Sequence, residues 1–152
     1  QWLLGNCLGD IYSNAPAGSS NSLETPFKST GNTIVDLGDD VFTRGKPHPM
    51  IDPTPRNGRL IQEMADPTCG VLLLDVVLGY GSHEDPAGEL AAAIAKGKAA
   101  TANPPICIAS VCGTDQDPQH LDVQCAKLEA QGVVLCQSNA QAAALAACVL
   151  MA

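Results

Sequence analysis

Aromatic side chains are scarce in this sequence. Phe, Trp and Tyr together make up 3% of the 152 residues, so the core must be built mainly from Ala, Val, Leu and Ile. That composition is typical of α/β proteins, in which helices pack closely on apolar parallel strands. The same scarcity argues against a flavin cofactor, because few aromatic rings are available to flank an isoalloxazine ring.

Positive charge is scarce as well. Eight Lys and Arg residues stand against sixteen Asp and Glu residues, which gives a formal net charge of −8 at pH 7. An acidic surface repels polyanions, so this balance argues against nucleic acid or an anionic membrane as a partner. It does not exclude phosphate ligands, because helix N-termini bind anions without net positive charge on the chain.

Several signals of targeting and catalysis are missing. The sequence has no signal peptide and no uninterrupted apolar run long enough to span a membrane. Its seven cysteines form no CxxC pair, so we expect free thiols in the reducing cytoplasm and no disulfide framework. The motifs GxGxxG, GxxxxGKS/T, GxSxG and HExxH are all absent. Because the chain begins at Gln1, we expect it to be a piece of a longer product.

Strand and helix patterns alternate from residue 32 onward. Four apolar runs predict buried strands at residues 33–37, 70–78, 105–111 and 133–136, and helical patterns follow at residues 53–65, 87–99, 119–131 and 139–150. The first three helices begin at Asp-Pro pairs, in which Asp can cap the helix and Pro can start it. This order predicts a flavodoxin-like α/β domain over residues 32–152. It would have three α/β/α layers and a parallel sheet whose central strand is the second apolar run. Residues 1–31 are predicted to be an irregular linker or tether, in which residues 2–12 could hold a short helix or strand.

In such a sheet the loops after the strands meet at one edge, where ligands bind. The first of these loops carries His48 between two prolines, and His48 is the best candidate for an acid/base, a phosphate acceptor or a ligand-orienting group. The alternative is a histidine that hydrogen-bonds locally. Arg44 and Lys46 are candidates for holding an anionic substrate, or they form a solvated turn. Asp39 and Asp40 could contact substrate or Mg²⁺, or they pair with Arg44 or are simply hydrated.

The later loops offer further candidates. Gly79 and Gly81 can present backbone N–H groups to a phosphate or carboxylate, although a plain strand-to-helix turn also explains them. Gly113 is a third candidate for such a contact. Cys112 is either a reactive thiol near a helix N-terminus or a packed, inert one. Asp75 interrupts an apolar strand, so it should be paired with a polar group or lie near the end of the strand.

Three stretches of the sequence closely resemble the FdrA family. They are residues 34–53 (IVDLGDDVFTRGKPHPMIDP) with the following Arg56 and Asn57, residues 71–81 (VLLLDVVLGYG) and residues 113–118 (GTDQDP). FdrA proteins look like succinyl-CoA synthetases in which both ligase halves lie in one chain. The resemblance extends from about residue 12 to the C-terminus. It implies that this chain is the C-terminal ligase-CoA domain, with a flavodoxin-like fold.

The resemblance also implies a function. Enzymes of this kind transfer an acyl or carbamoyl group through an acyl phosphate, in allantoin and purine catabolism. The implied ligands are phosphate, an acyl phosphate, CoA or a small carboxylate, and the implied partners are the N-terminal CoA-binding-like half and further copies in a homo-oligomer. The superfamily's phosphohistidine lies in a Gly-His-Ala-Gly motif, whereas this chain has Lys46-Pro47-His48-Pro49, so His48 is not equated with it. The alternative is a non-catalytic module that completes another domain's active site or a subunit interface.

Overall fold

The computed structural model describes all residues from 1 to 152 and contains six helices and six strands. In chain order these are α1 (Trp2–Leu8), β1 (Ile11–Ser13), β2 (Asn21–Ser22), β3 (Asn32–Ile34), α2 (Asp40–Thr43), α3 (Thr54–Met64), β4 (Val71–Val77), α4 (Pro86–Ala99), β5 (Ile106–Cys112), α5 (Leu121–Glu129), β6 (Val134–Cys136) and α6 (Asn139–Met151). None of the helices has the length and apolar composition needed to cross a membrane.

The strands form two parallel sheets of three strands each. One sheet has the order β2–β1–β3 and the other has the order β4–β5–β6. Strands β4 and β5 pair over their whole length, from Val71 opposite Ile106 to Val77 opposite Cys112. The predicted α/β class with parallel strands is confirmed. The single sheet that was expected is divided, because β3 pairs with β1 and not with β4. Strand β4, which was predicted to be central, therefore lies at an edge.

Helices cover both faces of the sheet β4–β5–β6. Cys107 and Ala109 of β5 pack with buried residues of α3, α4 and α5, whereas Ile108 packs with residues of α1 and α6. Successive side chains of a strand point to opposite faces, so the two groups of helices lie on opposite sides of the sheet. This is the predicted three-layer arrangement. Full burial of a side chain such as Ile94 in α4, which is 0% exposed, contributes about 1.5–3 kcal/mol.

Residues 1–31 are more structured than the expected tether. Helix α1 packs against α6, and β1 is the middle strand of its sheet. Ile11 and Ser13 of β1 are buried, and the side chain of Gln1 donates to the carbonyl oxygen of Ala15 at 2.9 Å. The short helix or strand that residues 2–12 could hold is present as α1 and β1, and the assignment of these residues to a tether is wrong because they pack into the fold. Such short elements gain their stability from tertiary packing, which local sequence does not reveal.

Aspartates start two of the helices as predicted. Asp85 accepts a backbone N–H from the first turn of α4, and Asp52 does the same at the start of α3. At the third Asp-Pro pair, Asp117 accepts an N–H within its own loop instead. Helix α5 begins two residues later than predicted, after His120, whose φ is 57°. The loop between β3 and α3 contains the one-turn helix α2, which buries no side chain.

Candidate active site

A cavity of about 750 Å³ lies between the two sheets. Strands β3 and β4 line it, helices α1 and α6 contribute apolar side chains from one face, and α3 contributes residues from the other face. The polar lining includes His48 from the loop after β3, Arg56 from the first turn of α3 and His83 from the loop after β4. The volume falls in the range of small-molecule sites. Two strand-end loops therefore supply one cavity, as parallel strands allow.

The ring of His48 is fixed by the backbone of its own loop. Its Nδ1 accepts the N–H of Met50 at 3.1 Å, so the neutral ring carries its proton on Nε2. That Nε2 lies against Gly38, where a Cβ atom would approach it to 2.6 Å. Glycine is needed here because any side chain would displace the ring. The local hydrogen bond considered as the alternative role is present, and it leaves Nε2 as the available donor.

His83 connects the two loops. Its backbone N–H donates to the carbonyl oxygen of Met50 at 2.7 Å, and its Nδ1 accepts the N–H of Asp85 at 3.0 Å. The neutral ring therefore carries its proton on Nε2, as in His48. In the sequence, His83 stands beside Glu84 and Asp85 ahead of a helix, a pattern that indicates only polarity at a helix start. Its role at the cavity depends on a contact between distant loops, which no local pattern shows.

Arg56 is a half-buried cation without a carboxylate partner. Its guanidinium donates to the side-chain oxygen of Asn57 at 3.3 Å and to the carbonyl oxygen of Pro86 at 3.2 Å. Neither of the two ion pairs in the structure involves it. Burial lowers the pKa of Arg56 below its usual value, and the charge of Glu89 partly opposes this effect. A cation withdrawn from water without a counterion is costly, so this side chain is well suited to bind an anion.

Sequence reasoning did not select Arg56 as a site residue, although one local signal was available. The residue lies in the first turn of α3, where a positive side chain opposes the helix macrodipole. Arginine at such a position does not stabilise the helix, which indicates another role. The N-terminus of α3 adds its own partial positive charge to the same end of the cavity.

The N–H of Gly79 is already paired in this structure. It donates to Oε1 of Gln119 at 3.1 Å, and the Gly79 carbonyl oxygen accepts from Nε2 of Gln119 at 3.1 Å. The same nitrogen lies 3.0 Å from Oγ of Ser82 and 3.1 Å from the carbonyl oxygen of His83. The backbone N–H of Gly79 is therefore not free to bind a phosphate. Gln119, which is 7% exposed, is instead a positioning residue for the loop that carries His83, and sequence reasoning missed it.

Only His48 among the predicted site residues lines the cavity. Those that lie outside it are Asp39, Asp40, Arg44, Lys46, Gly79, Gly81 and Gly113. Arg44 and Lys46 are exposed, which favours the alternative of a solvated turn. Asp39 caps α2, and no three potential metal-ligating side chains come together anywhere in the structure. Gly113 packs against Leu78, where a Cβ atom would approach to 2.7 Å, so it serves close packing.

Asp75 forms a second polar cluster at the carboxyl ends of β4 and β5. Ser110 donates its hydroxyl to Asp75 at 2.5 Å, and the side-chain nitrogen of Asn139 lies 3.0 and 2.8 Å from the two carboxylate oxygens. The carboxylate is exposed. The predicted pairing of Asp75 with polar groups is confirmed. A smaller pocket of about 510 Å³ lies beside this cluster and is lined by Cys112 and Ser138 among others.

Comparison with known proteins identifies the family. The CoA-ligase family model matches residues 8–149. The chain belongs to the CoA-ligase family. It is also 45% identical over 141 residues to YahF of Escherichia coli (strain K12), which is named as an uncharacterized protein. That match covers 91% of this chain and 27% of YahF, so the chain spans about a quarter of the length of this relative. The expectation of a ligase-CoA domain is thereby confirmed, and the FdrA type stays a prediction.

The CoA-ligase match includes the whole polar end of the cavity, since His48, Arg56 and His83 all lie within residues 8–149. In this CoA-ligase domain, one arginine and two histidines line the same cavity. A guanidinium can hold two oxygens of a carboxylate or phosphate at once. An imidazole can in addition give or take a proton near neutral pH. The arrangement can therefore bind an anion and assist proton transfer to it.

Proposed function

We propose that this chain is the C-terminal domain of an FdrA-type, succinyl-CoA-ligase-like enzyme. The enzyme transfers an acyl or carbamoyl group through an acyl phosphate, in allantoin and purine catabolism. Membership of the CoA-ligase family and the motif resemblance at residues 34–53 and 71–81 support this assignment. The proposal includes an N-terminal CoA-binding-like half and a homo-oligomeric assembly. The seven free cysteines support a cytoplasmic location.

The observation that carries the proposal is the charge of Arg56, which forms no ion pair and is offset only in part by Glu89, in a cavity shared with His48 and His83. When a nucleophile attacks the carbon of an acyl phosphate, the C–O bond to phosphate breaks and its electron pair leaves with the phosphate. Donors that are already fixed in place stabilise that developing charge. Arg56 would hold the phosphoryl oxygens, and Nε2–H of His48 would donate to the leaving oxygen. His83 would orient the bound anion.

A second candidate is a module that completes the active site of another domain. The chain matches only 27% of YahF, and Lys46-Pro47-His48-Pro49 stands where a phosphohistidine motif would be needed. Both observations favour this alternative for the chain by itself. In that case Arg56 would hold an anion presented by the rest of the protein. The two candidates differ in whether the isolated chain binds an anion at all.

Calorimetric titration separates the two candidates. Phosphate, carbamoyl phosphate, oxamate and CoA would be titrated into the wild-type chain and into Arg56→Gln and His48→Gln variants. A charge-assisted hydrogen bond is worth about 1.5–3 kcal/mol, so we expect Arg56→Gln to lower the affinity for the anion at least about tenfold. The control is Arg44→Gln, which removes an exposed arginine outside the cavity and should bind as the wild type does. Loss of binding in the control would place the site on the exposed turn, and no binding by the wild type would favour the module.

A further inference from the structure

The outer edge of β4 has no partner strand, and the hydrogen bonds at its two ends show which residues face outward. The carbonyl oxygen of Gly70 accepts from Ile106, and the N–H of Leu78 donates to Cys112, so both residues point toward β5. Backbone groups of successive residues in a strand point to alternate sides. The even-numbered residues of β4 therefore pair with β5. The backbone N–H and C=O groups that face outward belong to Val71, Leu73, Asp75 and Val77, and among them the carbonyl oxygen of Val71 accepts a weak hydrogen bond from Sγ of Cys69 at 3.7 Å.

All four of these residues line the cavity between the two sheets. On its other side the cavity is lined by residues of β3, which pairs only with β1. Helices α1 and α6 close one face, and Pro53 and Arg56 contribute to the other. The cavity thus follows the line of the sheet, and backbone donors and acceptors run along one of its walls.

The two ends of the cavity differ in charge. At the amino end of β4 the lining includes Glu63, which is paired with Arg59, and Asp66, whose carboxylate accepts from Thr68. At the carboxyl end it includes Arg56, His48 and His83. Asp75 also lies toward the carboxyl end, where the neutral side chains of Ser110 and Asn139 fix its carboxylate and leave its negative charge in place. A ligand lying parallel to β4 therefore meets two acids at its first end, and at its last end it meets three side chains with nitrogen donors and the single carboxylate of Asp75.

We propose that this cavity binds a short peptide with free ends, which pairs with the edge of β4 as an additional parallel strand. Its terminal carboxylate would be held by Arg56, and its terminal ammonium group would lie near Asp66. This assignment goes beyond the proposed acyl-transfer function. Of the features on which that function was argued, it uses only the cationic end of the cavity. Strand addition of this kind gains affinity from main-chain hydrogen bonds.

A ligand with amide groups fits this wall better than a hydrocarbon chain. Backbone N–H and C=O groups that are withdrawn from water without partners are costly, at about 1–3 kcal/mol each. An aliphatic ligand would cover the edge of β4 and leave those groups unpaired, whereas a peptide pairs with them. Strand β4 has seven residues, and a pentapeptide, at about 3.3 Å per residue, spans most of that length.

The test uses pentaalanine and two chemically matched ligands with the wild-type chain. One ligand is pentaalanine N-methylated at every amide, which has no backbone N–H to donate to the strand, and the other is a straight-chain carboxylate of similar length without amides. We expect pentaalanine to bind at least tenfold more tightly than either. Equal or tighter binding of the N-methylated peptide or of the aliphatic carboxylate would overturn the proposal. Because the protein is unchanged, this comparison does not depend on a variant's stability.

Amide hydrogen exchange followed by NMR supplies an internal control. Pentaalanine should slow exchange at Val71, Leu73 and Asp75, whose N–H groups face the cavity, and leave Leu72 and Leu74, which already pair with β5, nearly unchanged. Equal slowing of amide exchange at the odd-numbered and even-numbered residues of β4 would contradict strand addition. C-terminal amidation of the peptide should weaken binding to the wild type about tenfold and have little further effect in Arg56→Gln.

The small anions separate this proposal from the preceding one. Binding of carbamoyl phosphate without binding of pentaalanine would support the acyl-transfer site and refute the peptide site. Binding of pentaalanine with the alternate exchange pattern, without binding of phosphate or carbamoyl phosphate, would support the peptide site and refute the anion-transfer proposal. If neither the small anions nor pentaalanine bound to the chain, both proposals would be refuted.

Discussion

Gln119 tests how the loop that carries His83 is held in place. Its side-chain nitrogen lies 3.0–3.1 Å from three oxygens, and its side-chain oxygen accepts the N–H of Gly79 at 3.1 Å. An amide nitrogen has two hydrogens, so it donates two full hydrogen bonds at one time. With the accepted bond, Gln119 contributes about three bonds of about 1 kcal/mol each. Their loss should therefore lower the free energy of unfolding by about 3 kcal/mol.

The substitution Gln119→Glu isolates the hydrogen bonds, because the side chain keeps its shape. At pH 7 the introduced carboxylate has no hydrogen to donate and faces the carbonyl oxygens of Gly79 and His83. The introduced side chain still accepts the N–H of Gly79, so only the two donated bonds are lost. We expect the free energy of unfolding to fall by about 2 kcal/mol in urea unfolding followed by circular dichroism. The control is Gln116→Glu, which places the same charge at an exposed position of the same loop and should change stability by less than about 0.5 kcal/mol.

The pH dependence of Gln119→Glu gives a second signature. Nearby oxygen acceptors raise the pKa of the introduced carboxyl above its unfolded value of about 4.3. A group with a raised folded pKa is favoured in its protonated form, so the stability deficit should shrink as pH falls through that folded pKa and be greatest above it. If Gln119→Glu were as stable as Gln116→Glu at every pH, the side-chain amide of Gln119 would not be what holds the loop that carries His83 in place.

Three further predictions concern packing, acid stability and thiol reactivity. Gly58→Ala, where a Cβ meets nothing within 4 Å, should stabilise the chain by about 1 kcal/mol, whereas Gly97→Ala, whose Cβ would lie 3.2 Å from Cβ of Met64, should destabilise it by about 1–2 kcal/mol in urea unfolding. Burial raises the pKa of Asp85, but hydrogen bonds from Lys, Gln and backbone donors outweigh burial and lower it. The contribution of Asp85 to the free energy of unfolding is therefore present above about pH 4 and is lost as pH falls through the lowered pKa. The difference in stability between the wild type and Asp85→Asn should accordingly become smaller in acid. Burial raises the pKa of Cys69 to about 11, so iodoacetamide should label it at pH 8 much more slowly than the exposed thiols, as peptide mass spectrometry would show.

Much of the fold could be predicted from the sequence, because its longer elements carry strong local signals. The apolar runs at residues 70–78 and 105–111 became β4 and β5 within one residue at each end. The Asp-Pro pair at Asp85 placed the start of α4 because Asp and Pro favour a helix start for separate physical reasons. The pairing of β1 with β3 could not be predicted in the same way. Both strands have three residues, and such short strands contain too few side chains to specify a partner.

The candidate site was less predictable because its geometry depends on distant contacts. His48 was found because its position between prolines is a local feature. Arg56 and His83 line the same cavity only because two loops lie close together. The hydrogen bond from the N–H of His83 to the carbonyl oxygen of Met50 joins these loops. The occupied donor of Gly79 could not be foreseen, because its partner Gln119 lies 40 residues away in the sequence. Polar side chains that act on a backbone at such a separation leave no periodic signal.

The contrast between two arginines of α3 explains why an acidic chain can hold an anion site. Arg59 pairs with Glu63 one turn later and donates to Ser29 and to the carbonyl oxygen of Pro26, so its charge is neutralised within the chain. The hydrogen bonds of Arg56 go to neutral oxygens, which fix its position, and Glu89 offsets its charge only in part. The net charge of −8 acts at long range and is screened within about 8–10 Å by salt, whereas a donor in a half-buried cavity acts at contact. A carboxylate placed beside Arg56 would stabilise the chain and remove its affinity for anions, so stability and binding compete at this residue.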